Sequence, residues 1–378
     1  MALTISPASS PADLDTFLKL PRRLYDGLPG YVPPLDIDRV TVLHPAKSPF
    51  FKHGEAAYFL ARRDGRPVGR VSAQIDRLAT GPWHEGVGQF GCLDAADDAD
   101  AVAGLLAAAE GWLAERGKRA ARGPFLLGIN GETGLTLAGQ LQPPMTLIPW
   151  HPTWLAPLVE RAGYAIARRV HSYDRELASF DHGAVVSGRG LDRVRRGLTT
   201  RLLDLRHLAR DADIARRLFD DAWANNYAFV PLAKAEIDLL ASEYRPFLKP
   251  ANAVFVEKDG EAVAFTLALP NLYEITGDIG ASPGLAGWGK LAYRAFTHRF
   301  RHVRLALFGV AGRYRDTLMG GAIAALALAE HLRVGKDHGF TRLEAGWVLE
   351  DNEPVNRLLE TPRFTRMRTH AIYERRFG

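Results

Sequence analysis

The stretch that decides the fold lies near the end of the chain and reads Gly309-Val310-Ala311-Gly312-Arg313-Tyr314-Arg315-Asp316-Thr317-Leu318-Met319-Gly320-Gly321. A strand-like apolar run precedes it, and an alanine- and leucine-rich helical pattern follows it. A helix that begins directly after a basic turn presents unpaired backbone N–H groups at its positive end. Such an end binds anions, and a pyrophosphate group suits it. The stretch therefore predicts a strand, a phosphate-binding turn and a helix, in that order.

Two hairpin signals indicate that the chain repeats itself. Asp64-Gly65 lies between two strand-like runs, and Asp259-Gly260 lies between two others, 195 residues further on (259 − 64). An Asp-Gly pair between alternating apolar runs is the strongest short-range signal of a β-hairpin. The sequence therefore predicts the same hairpin in each half.

A second set of matches has an offset of 200 residues (373 − 173). The matched residues are Glu160, Tyr173 and Arg175 in the first half and Glu360, Tyr373 and Arg375 in the second. Ahead of each set lie a long helical pattern, over residues 98–117 or 320–339, and a strand-like run that stops at Asn130 or Asn352. So many ordered matches indicate a tandem duplication of one α/β unit.

The duplication predicts two domains, residues 1–180 and 190–378. The join is expected near residues 179–190, where glycine and polar residues interrupt both periodic patterns. The second half also has an insert, around residues 269–302, that is rich in glycine and aromatic residues. Because the insert directly precedes the phosphate turn, it is expected either to cover a substrate channel or to form a surface loop.

Composition restricts the class of protein. The chain has 378 residues, of which 47% are hydrophobic and 24% charged, as in a folded globular protein. Its length suits two domains of ordinary size or one large one. Its net charge of +5 favours anionic partners such as CoA or anionic lipid, although a solvated basic surface would give the same value. Cys92 is the only cysteine, which excludes an internal disulfide and a cysteine-based zinc site.

Other patterns exclude further classes. The first residues do not form a signal peptide, and no apolar run reaches the ~20 residues of a membrane span. We therefore expect a cytoplasmic protein, with peripheral contact to the inner face of the membrane left open. The sequence has no dinucleotide-binding or P-loop glycine motif and no zinc-protease motif, so a metal site is not expected. Its arginines are scattered rather than interleaved with aromatics, so nucleic-acid binding is not expected either.

The order of elements resembles the acyl-CoA-binding half of the GNAT acyltransferase fold, and the chain as a whole resembles a bacterial family of tandem-GNAT proteins. The segments that carry this resemblance span residues 50–56, 130–135, 143–144, 149–152, 223–231 and 314–315. The more specific resemblance is to the bacterial ceramide synthases. It implies two tandem GNAT units, each a mixed, mostly antiparallel sheet flanked by helices. It also implies transfer of a fatty acyl group from acyl-CoA, as co-substrate, to the amine of a sphingoid base, without a prosthetic group.

The resemblance also implies where the cofactor binds. The phosphate turn of the family begins at Arg315 and ends at Gly320, and Leu318 stands where the family usually has glycine. A glycine there lets the pyrophosphate approach the backbone amides. The expected cofactor-binding residues are Val310, Arg313, Tyr314, Arg315, Leu318, Gly320, Gly321 and Asn352. The equivalent turn of the first half, residues 93–98, is acidic, so we expect that unit to have lost CoA binding.

Acyl transfer to an amine needs a base for the ammonium, donors for the oxyanion and a proton for the leaving thiolate. The family's usual tyrosine acid would fall at Leu358 or Leu359, neither of which carries a proton. The thiolate therefore leaves unassisted or takes its proton from another acid. The catalytic candidates are Glu132 and Glu274 as bases and Tyr314 and Tyr373 as acids, with Asp278, His151 and His171 as further possibilities for the base.

The acceptor is expected to contact aromatic and amide side chains near the strand ends and in the insert. The expected residues are Asn130, His171, Trp223, Asn226, Asn271 and Trp288. Trp223 and Asn226 could instead serve helix capping and core packing, and Asn130 could be a turn residue that bonds its own backbone. Two other functions remain open from the sequence: a GNAT transferase for another amine, and a non-catalytic protein that binds acyl-CoA or lipid. The oligomeric state is also open.

Overall fold

The computed structural model describes residues 2–183 and 197–377. These residues form two compact units. Unit 1 consists of Met1–Val170, Thr276–Lys290 and Arg368–Gly378, and unit 2 consists of His171–Ile275 and Leu291–Met367. The chain passes between the two units more than once. The join expected near residues 179–190 stays a prediction. Much of that expected join lies outside the described residues.

The secondary structure repeats in the order that the sequence predicts. The strands are β1 Leu3–Pro7, β2 Gly54–Arg63, β3 Arg66–Asp76, β4 Val87–Ala95, β5 Ala120–Gly123, β6 Leu135–Ala138, β7 Ala165–Glu176, β8 Leu198–Leu202, β9 Ala253–Lys258, β10 Glu261–Pro270, β11 His302–Val310, β12 Arg342–Leu349 and β13 Thr365–Arg376. The α-helices are α1 Pro11–Leu24, α2 Asp36–Leu43, α3 Ala99–Ala114, α4 Leu155–Arg161, α5 Leu208–Trp223, α6 Lys234–Tyr244, α7 Tyr273–Thr276, α8 Leu285–Thr297, α9 Leu318–Asp337 and α10 Glu353–Glu360.

Each unit has a mixed, mostly antiparallel sheet. The strand order is β1-β2-β3-β4-β5-β13 in unit 1, with β6 also pairing β13, and β7-β12-β11-β10-β9-β8 in unit 2. The neighbours β4 and β5 are parallel, and so are β11 and β12, because a helix (α3 or α9) connects them. These sheets and their flanking helices confirm the predicted fold class.

The two hairpins have the same geometry. Asp64 and Gly65 have φ values of 49° and 79°, and Asp259 and Gly260 have φ values of 53° and 79°. Two consecutive residues with positive φ make the tight turn that suits the twist of paired strands. Each hairpin then has a bulge at the same position, where Val68 of β3 or Val263 of β10 is the extra residue. The shared irregularity supports duplication more strongly than the turns alone.

Two apolar layers surround each sheet. In unit 1, α3 and α4 cover one face through residues such as Leu105 and Val159, and α1 and α2 contribute Phe17 and Leu43 to a second cluster. In unit 2, α9 contributes Ile323, Leu326 and Leu332 to the core. Helix α9 has the length and composition of a membrane span, but 61% of that window is buried in the protein. It is therefore a core helix of unit 2.

The parallel strand pairs separate after a few residues. The pairing of β4 with β5 covers residues 87–89 of β4, and the pairing of β11 with β12 covers residues 302–305 of β11. In unit 1 the backbone closes the gap, because the Phe125 N–H donates to the Phe90 carbonyl at 3.0 Å. A Cβ on Gly91 would lie 1.7 Å from the Phe125 oxygen, so this approach requires glycine. In unit 2 the side chains of Trp223 and Trp347 lie where β11 and β12 separate.

Candidate active site

The turn from β11 to α9 has the predicted form of a strand, a basic turn and a helix. A short 3-10 helix, Gly312–Tyr314, follows β11, and α9 begins at Leu318. The Thr317 hydroxyl accepts a hydrogen bond from the Gly320 N–H at 3.0 Å and donates one to the Tyr314 carbonyl at 2.7 Å. A Cβ on Gly320 would lie 2.1 Å from that carbonyl oxygen. Glycine at this position is therefore a requirement of the turn itself.

Arg315 and Gly312 attach this turn to the end of α5. The Arg315 guanidinium donates to the carbonyls of Asp221 and Ala222 at 2.7 and 3.0 Å. The Gly312 N–H donates to the Asp221 carboxylate at 2.6 Å. The carbonyl end of a helix carries partial negative charge, which suits a guanidinium. Arg315 thus fixes the position of the turn, and Asp221 brings a negative charge to it.

The other residues expected to bind the cofactor have varied surroundings. Arg313 pairs with Glu261 of β10 at 2.9 Å, and its guanidinium lies 5.2 Å from the Tyr314 ring. Asn352 caps α10 by accepting from the Val355 N–H at 3.3 Å. Leu318 is almost fully exposed. A Cβ added to Gly321 would contact no other part of the protein within 4 Å, so the space beside this glycine is open. Cofactor binding by these residues stays a prediction.

The separation of β11 from β12 is bordered by two tryptophans. The Trp223 indole donates to the Phe308 carbonyl of β11 at 2.9 Å. Its ring meets Trp347 of β12 edge-on, with centroids 5.8 Å apart. Buried Arg304 donates to the Gly346 carbonyl at 3.0 Å. Trp223 therefore contacts both strands where they separate.

Four side chains with acid–base or hydrogen-bonding capacity meet at the end of β12. The His171 Nε2 lies 3.6 Å from the Glu350 carboxylate, and His171 is 2% exposed. The Tyr173 hydroxyl donates to the Asn356 amide oxygen at 2.9 Å. The Asn356 amide donates in turn to the carbonyls of Leu349 and Glu350. Burial raises the pKa of the Tyr173 phenol, so the phenol keeps its proton at neutral pH.

This cluster has the components that proton transfer needs. An imidazole beside a carboxylate can accept a proton near neutral pH, and a phenol can donate one. Sequence reasoning selected His171 but missed Glu350, Tyr173 and Asn356. The repeat contained the signal, because Tyr173 is the counterpart of Tyr373. Choosing between the two tyrosines required knowledge of their burial.

Tyr373 lies in a closed core. Its side chain is 0% exposed, and its hydroxyl donates to the Glu160 carboxylate at 2.9 Å within unit 1. Burial raises the pKa of its phenol, and the neighbouring carboxylate adds to the increase. Tyr314 is half-buried beside the turn of unit 2. The two expected acids therefore lie in different units.

Glu132 belongs to a polar cluster of unit 1. Its carboxylate pairs with Arg39 of α2 at 2.5 Å. In the same unit, the Nδ1 atom of His53 lies 2.9 Å from the carboxylate of buried Asp76. A Cβ on Gly128, in the loop that carries Glu132, would lie 3.9 Å from the Asp76 carboxylate. His53 lies in the segment of residues 50–56, and its residue type alone did not indicate this pairing.

Glu274 has a structural environment. Its carboxylate accepts hydrogen bonds from the N–H groups of His302 and Arg301, at 2.7 and 3.2 Å, and lies 2.8 Å from the His298 Nε2. These contacts attach α7 to the start of β11. These donors occupy the carboxylate that the sequence offered as a base.

The remaining candidates divide between the two units. Asn271 and His151 are buried, and burial lowers the pKa of the His151 imidazole. Asp278 pairs with Lys290 at 2.7 Å. Asn130 is exposed on the loop after β5, Asn226 is half-buried in the turn after α5, and Trp288 is exposed on α8. Among residues 2–183 and 197–377, no group of three metal-ligating side chains is suited to hold a metal ion.

Comparisons with known proteins agree with this architecture. No family model matches the chain. The chain is 34% identical over 378 residues to the bacterial ceramide synthase of Caulobacter vibrioides, covering 99% of this chain and 97% of that protein. It is 32% identical over 369 residues to protein YghO of Escherichia coli, covering 96% of this chain and 93% of that protein.

Solved structures resemble the chain in fold. One is a tandem GNAT protein from the clavulanic acid biosynthesis pathway, with a TM-score of 0.56 and 14% identity over 100% of this chain and 99% of that one. Another is the GCN5-related glucosamine N-acetyltransferase region of a fungal multi-domain GH3 β-N-acetylglucosaminidase, with a TM-score of 0.55 and 14% identity over 99% of this chain and 38% of that one. Two GNAT units in tandem, the fold of N-acyltransferases, therefore make up this protein. The chain belongs to the bacterial tandem-GNAT acyltransferase family that includes bacterial ceramide synthase. This confirms the predicted family and enzyme class.

Proposed function

We propose that the protein transfers a fatty acyl group from acyl-CoA to the primary amine of a sphingoid base. The observation that carries this proposal is 34% identity, over nearly the full length of both chains, to a protein named bacterial ceramide synthase. Three features belong to unit 2: the turn before α9, the separation of β11 from β12 beside Trp223, and the cluster of side chains around His171. Their presence in one unit supports donor binding and chemistry there.

The chemistry follows from the groups at the end of β12. A long-chain amine is protonated in neutral water, so it must lose a proton before it can attack. His171, beside the Glu350 carboxylate, accepts that proton. The amine nitrogen then attacks the thioester carbon, and the carbon–sulfur bond breaks as the amide forms. Tyr173 donates its proton to the leaving thiolate of CoA. The nitrogen releases its second proton to solvent as the amide forms, and a proton from solvent restores Tyr173.

The lipid nature of this acceptor suggests contact with an anionic membrane surface. Helix α8 has no buried residue, and four of its large apolar side chains are exposed: Leu285 94%, Trp288 41%, Tyr293 69% and Phe296 92%. Between Asp278 and Asp316 the chain has lysine and arginine but no acidic residue. Apolar and aromatic side chains beside basic ones are typical of helices that lie at a membrane interface.

The deciding experiment is product analysis by mass spectrometry. The purified protein is incubated in detergent with acyl-CoAs of several chain lengths and sphinganine or 3-ketosphinganine. We expect an N-acylated base that forms only when protein and acyl-CoA are both present. Release of CoA without that product would keep the transferase and reject the sphingoid acceptor. Binding of CoA without any release would favour a non-catalytic acyl-CoA-binding protein.

A matched pair of variants tests the assignment of the acid. Tyr173→Phe is expected to reduce turnover by about 10²-fold, the lower end for a positioned acid or base, with little change in KM for acyl-CoA. Tyr373→Phe, its repeat counterpart, is expected to lower the free energy of unfolding by about 1 kcal/mol, because it loses one hydrogen bond. A loss of turnover in Tyr373→Phe, with turnover retained in Tyr173→Phe, would assign the acid to Tyr373 and overturn the proposed mechanism.

A further inference from the structure

Unit 2 contains an apolar cavity between two helices and the sheet. Helices α5 and α6 form one wall, and strands β9, β10 and β11 form the other. The cavity volume is about 50 Å³, within a larger empty space of about 570 Å³ that includes open solvent. A water molecule needs only about 10–15 Å³ on the same measure, so the cavity has room for a few methylene groups. The lining residues that matter below are Ala212, Ala215, Leu240, Ala253, Phe255 and Leu307.

The charged residues on the wall of this cavity are already neutralised. Asp211 is fully buried, and its carboxylate pairs with Arg201 at 2.8 Å and with Arg210 at 3.0 Å. Arg216 pairs with Asp213 and Asp220 at 3.1 and 3.0 Å. The cavity therefore presents hydrocarbon to its occupant. An alkyl chain satisfies such a wall, whereas a polar head group would lose its hydration without gaining partners.

The cavity and the turn before α9 are connected by the same two elements. On α5, Arg216 lines the cavity and Asp221 holds the turn, about 7.5 Å apart along the helix axis at 1.5 Å per residue. On β11, Leu307 lines the cavity about 10 Å before the strand ends at Val310, at about 3.3 Å per residue. A ligand with phosphates at the turn and an alkyl chain would thus have both sites in one unit.

From these contacts we infer that the cavity binds the alkyl chain of the acyl donor and sets its preferred length. The inference rests on the proposed function, because it takes acyl-CoA as the donor. The tail of the acceptor is the rival occupant. The donor is favoured because the phosphate turn, which only the donor needs, lies on the elements that form the cavity. Each methylene that enters the cavity tightens binding by up to about fourfold, since burial of one methylene contributes about 0.8 kcal/mol.

The test is calorimetric binding of CoA and of acyl-CoAs with two to eighteen carbons. In the unmodified protein, affinity is expected to rise with chain length and then level off. Ala215→Leu fills part of the cavity, so the levelling is expected at a shorter chain. Leu307→Ala enlarges the cavity, so affinity is expected to level off at a longer acyl chain. Leu332→Ala, the same change at a core residue of α9 outside the cavity, serves as the matched control and is expected to keep the unmodified profile.

The outcomes separate this inference from the proposed function. An identical chain-length profile in the Ala215→Leu and Leu307→Ala variants overturns the cavity as the chain site, even if acyl transfer is found. A shifted profile that appears only when the base, rather than the acyl donor, is varied assigns the cavity to the acceptor and also overturns it. Opposite shifts in donor affinity without acylation of any amine uphold the cavity and refute the proposed function.

Discussion

The connection from β4 to α3 in unit 1 and the connection from β11 to α9 in unit 2 occupy the same position in the two repeats. Each follows a strand that has a bulge opposite its antiparallel neighbour. Residues 96–98 form the first connection, and residues 311–317 form the longer second one. The strand before each connection and the helix after it correspond in the two units. Any difference in what the two connections bind therefore depends on the few residues of the connections and their neighbours.

Charge is arranged oppositely around the two connections. In unit 1 the N-cap of α3 is Asp98, and the guanidinium of Arg63 binds its carboxylate through two contacts of 2.7 Å. In unit 2 the N-cap of α9 is the uncharged Thr317, and the hairpin contributes the anion, Glu261, that pairs with Arg313. A carboxylate at a helix N-terminus stabilises the helix and repels a phosphate. Duplication thus preserved the fold, while anion binding depends on local residues.

The largest expected effect comes from Gly320→Ala. The new Cβ would lie 2.1 Å from the Tyr314 oxygen, so the turn must shift. We expect CoA affinity to fall at least tenfold, or about 1.4 kcal/mol, and the free energy of unfolding to fall by about 1–3 kcal/mol. Titration calorimetry and urea unfolding measure the two effects.

The control for this change is Gly111→Ala in α3. A Cβ on Gly111 has no atom within 4 Å, so the substitution is expected to stabilise unit 1 by about 0.5–1 kcal/mol without changing CoA affinity. Unaltered CoA binding in Gly320→Ala would show that the turn of unit 2 does not bind the cofactor.

The next effect concerns the cap of α3. Asp98→Ala is expected to lower the free energy of unfolding by about 1–2 kcal/mol at pH 7. The hydrogen bonds from Arg63 and the Ala101 N–H lower the pKa of the Asp98 carboxyl in the folded protein. A lowered folded pKa means that the stabilisation is present above the unfolded pKa of about 3.9 and is lost as pH falls through the folded value.

Urea unfolding at pH 7 and at pH 3 checks this prediction. The difference between the unmodified protein and Asp98→Ala should shrink at the lower pH. Thr317→Ala removes an uncharged cap from α9, so its cost of about 1 kcal/mol should be the same at both values. A constant difference for Asp98→Ala would mean that its charge contributes nothing.

The smallest effect is expected from Asp221→Asn. The amide oxygen can still accept from the Gly312 N–H, but the negative charge beside the turn is removed. Affinity for CoA should rise by about two- to fivefold at low salt, and the gain should decrease as salt screens the charge. Weaker CoA binding in this variant would indicate that the carboxylate positions the turn rather than opposing the phosphate.

Local signals account for what could be predicted from the sequence. The hairpin at Asp64-Gly65 needs two residues that tolerate positive φ, and the turn before α9 needs glycine at position 320, so both were readable from residue type. The proximity of His171 to Glu350 was not readable, because it depends on the pairing of β7 with β12. Glu274 illustrates the same limit, because two backbone amides and the His298 side chain hold its carboxylate.

Strand β13 has a consequence for synthesis on the ribosome. It pairs with β5, where Tyr373 lies opposite Gly123, and so completes the sheet of unit 1 from the far end of the chain. Domains usually fold as they emerge, starting with the N-terminal one. Here the edge of β5 stays open until translation has passed residue 376. A prematurely terminated chain would therefore expose an unpaired strand edge, the surface from which aggregation starts.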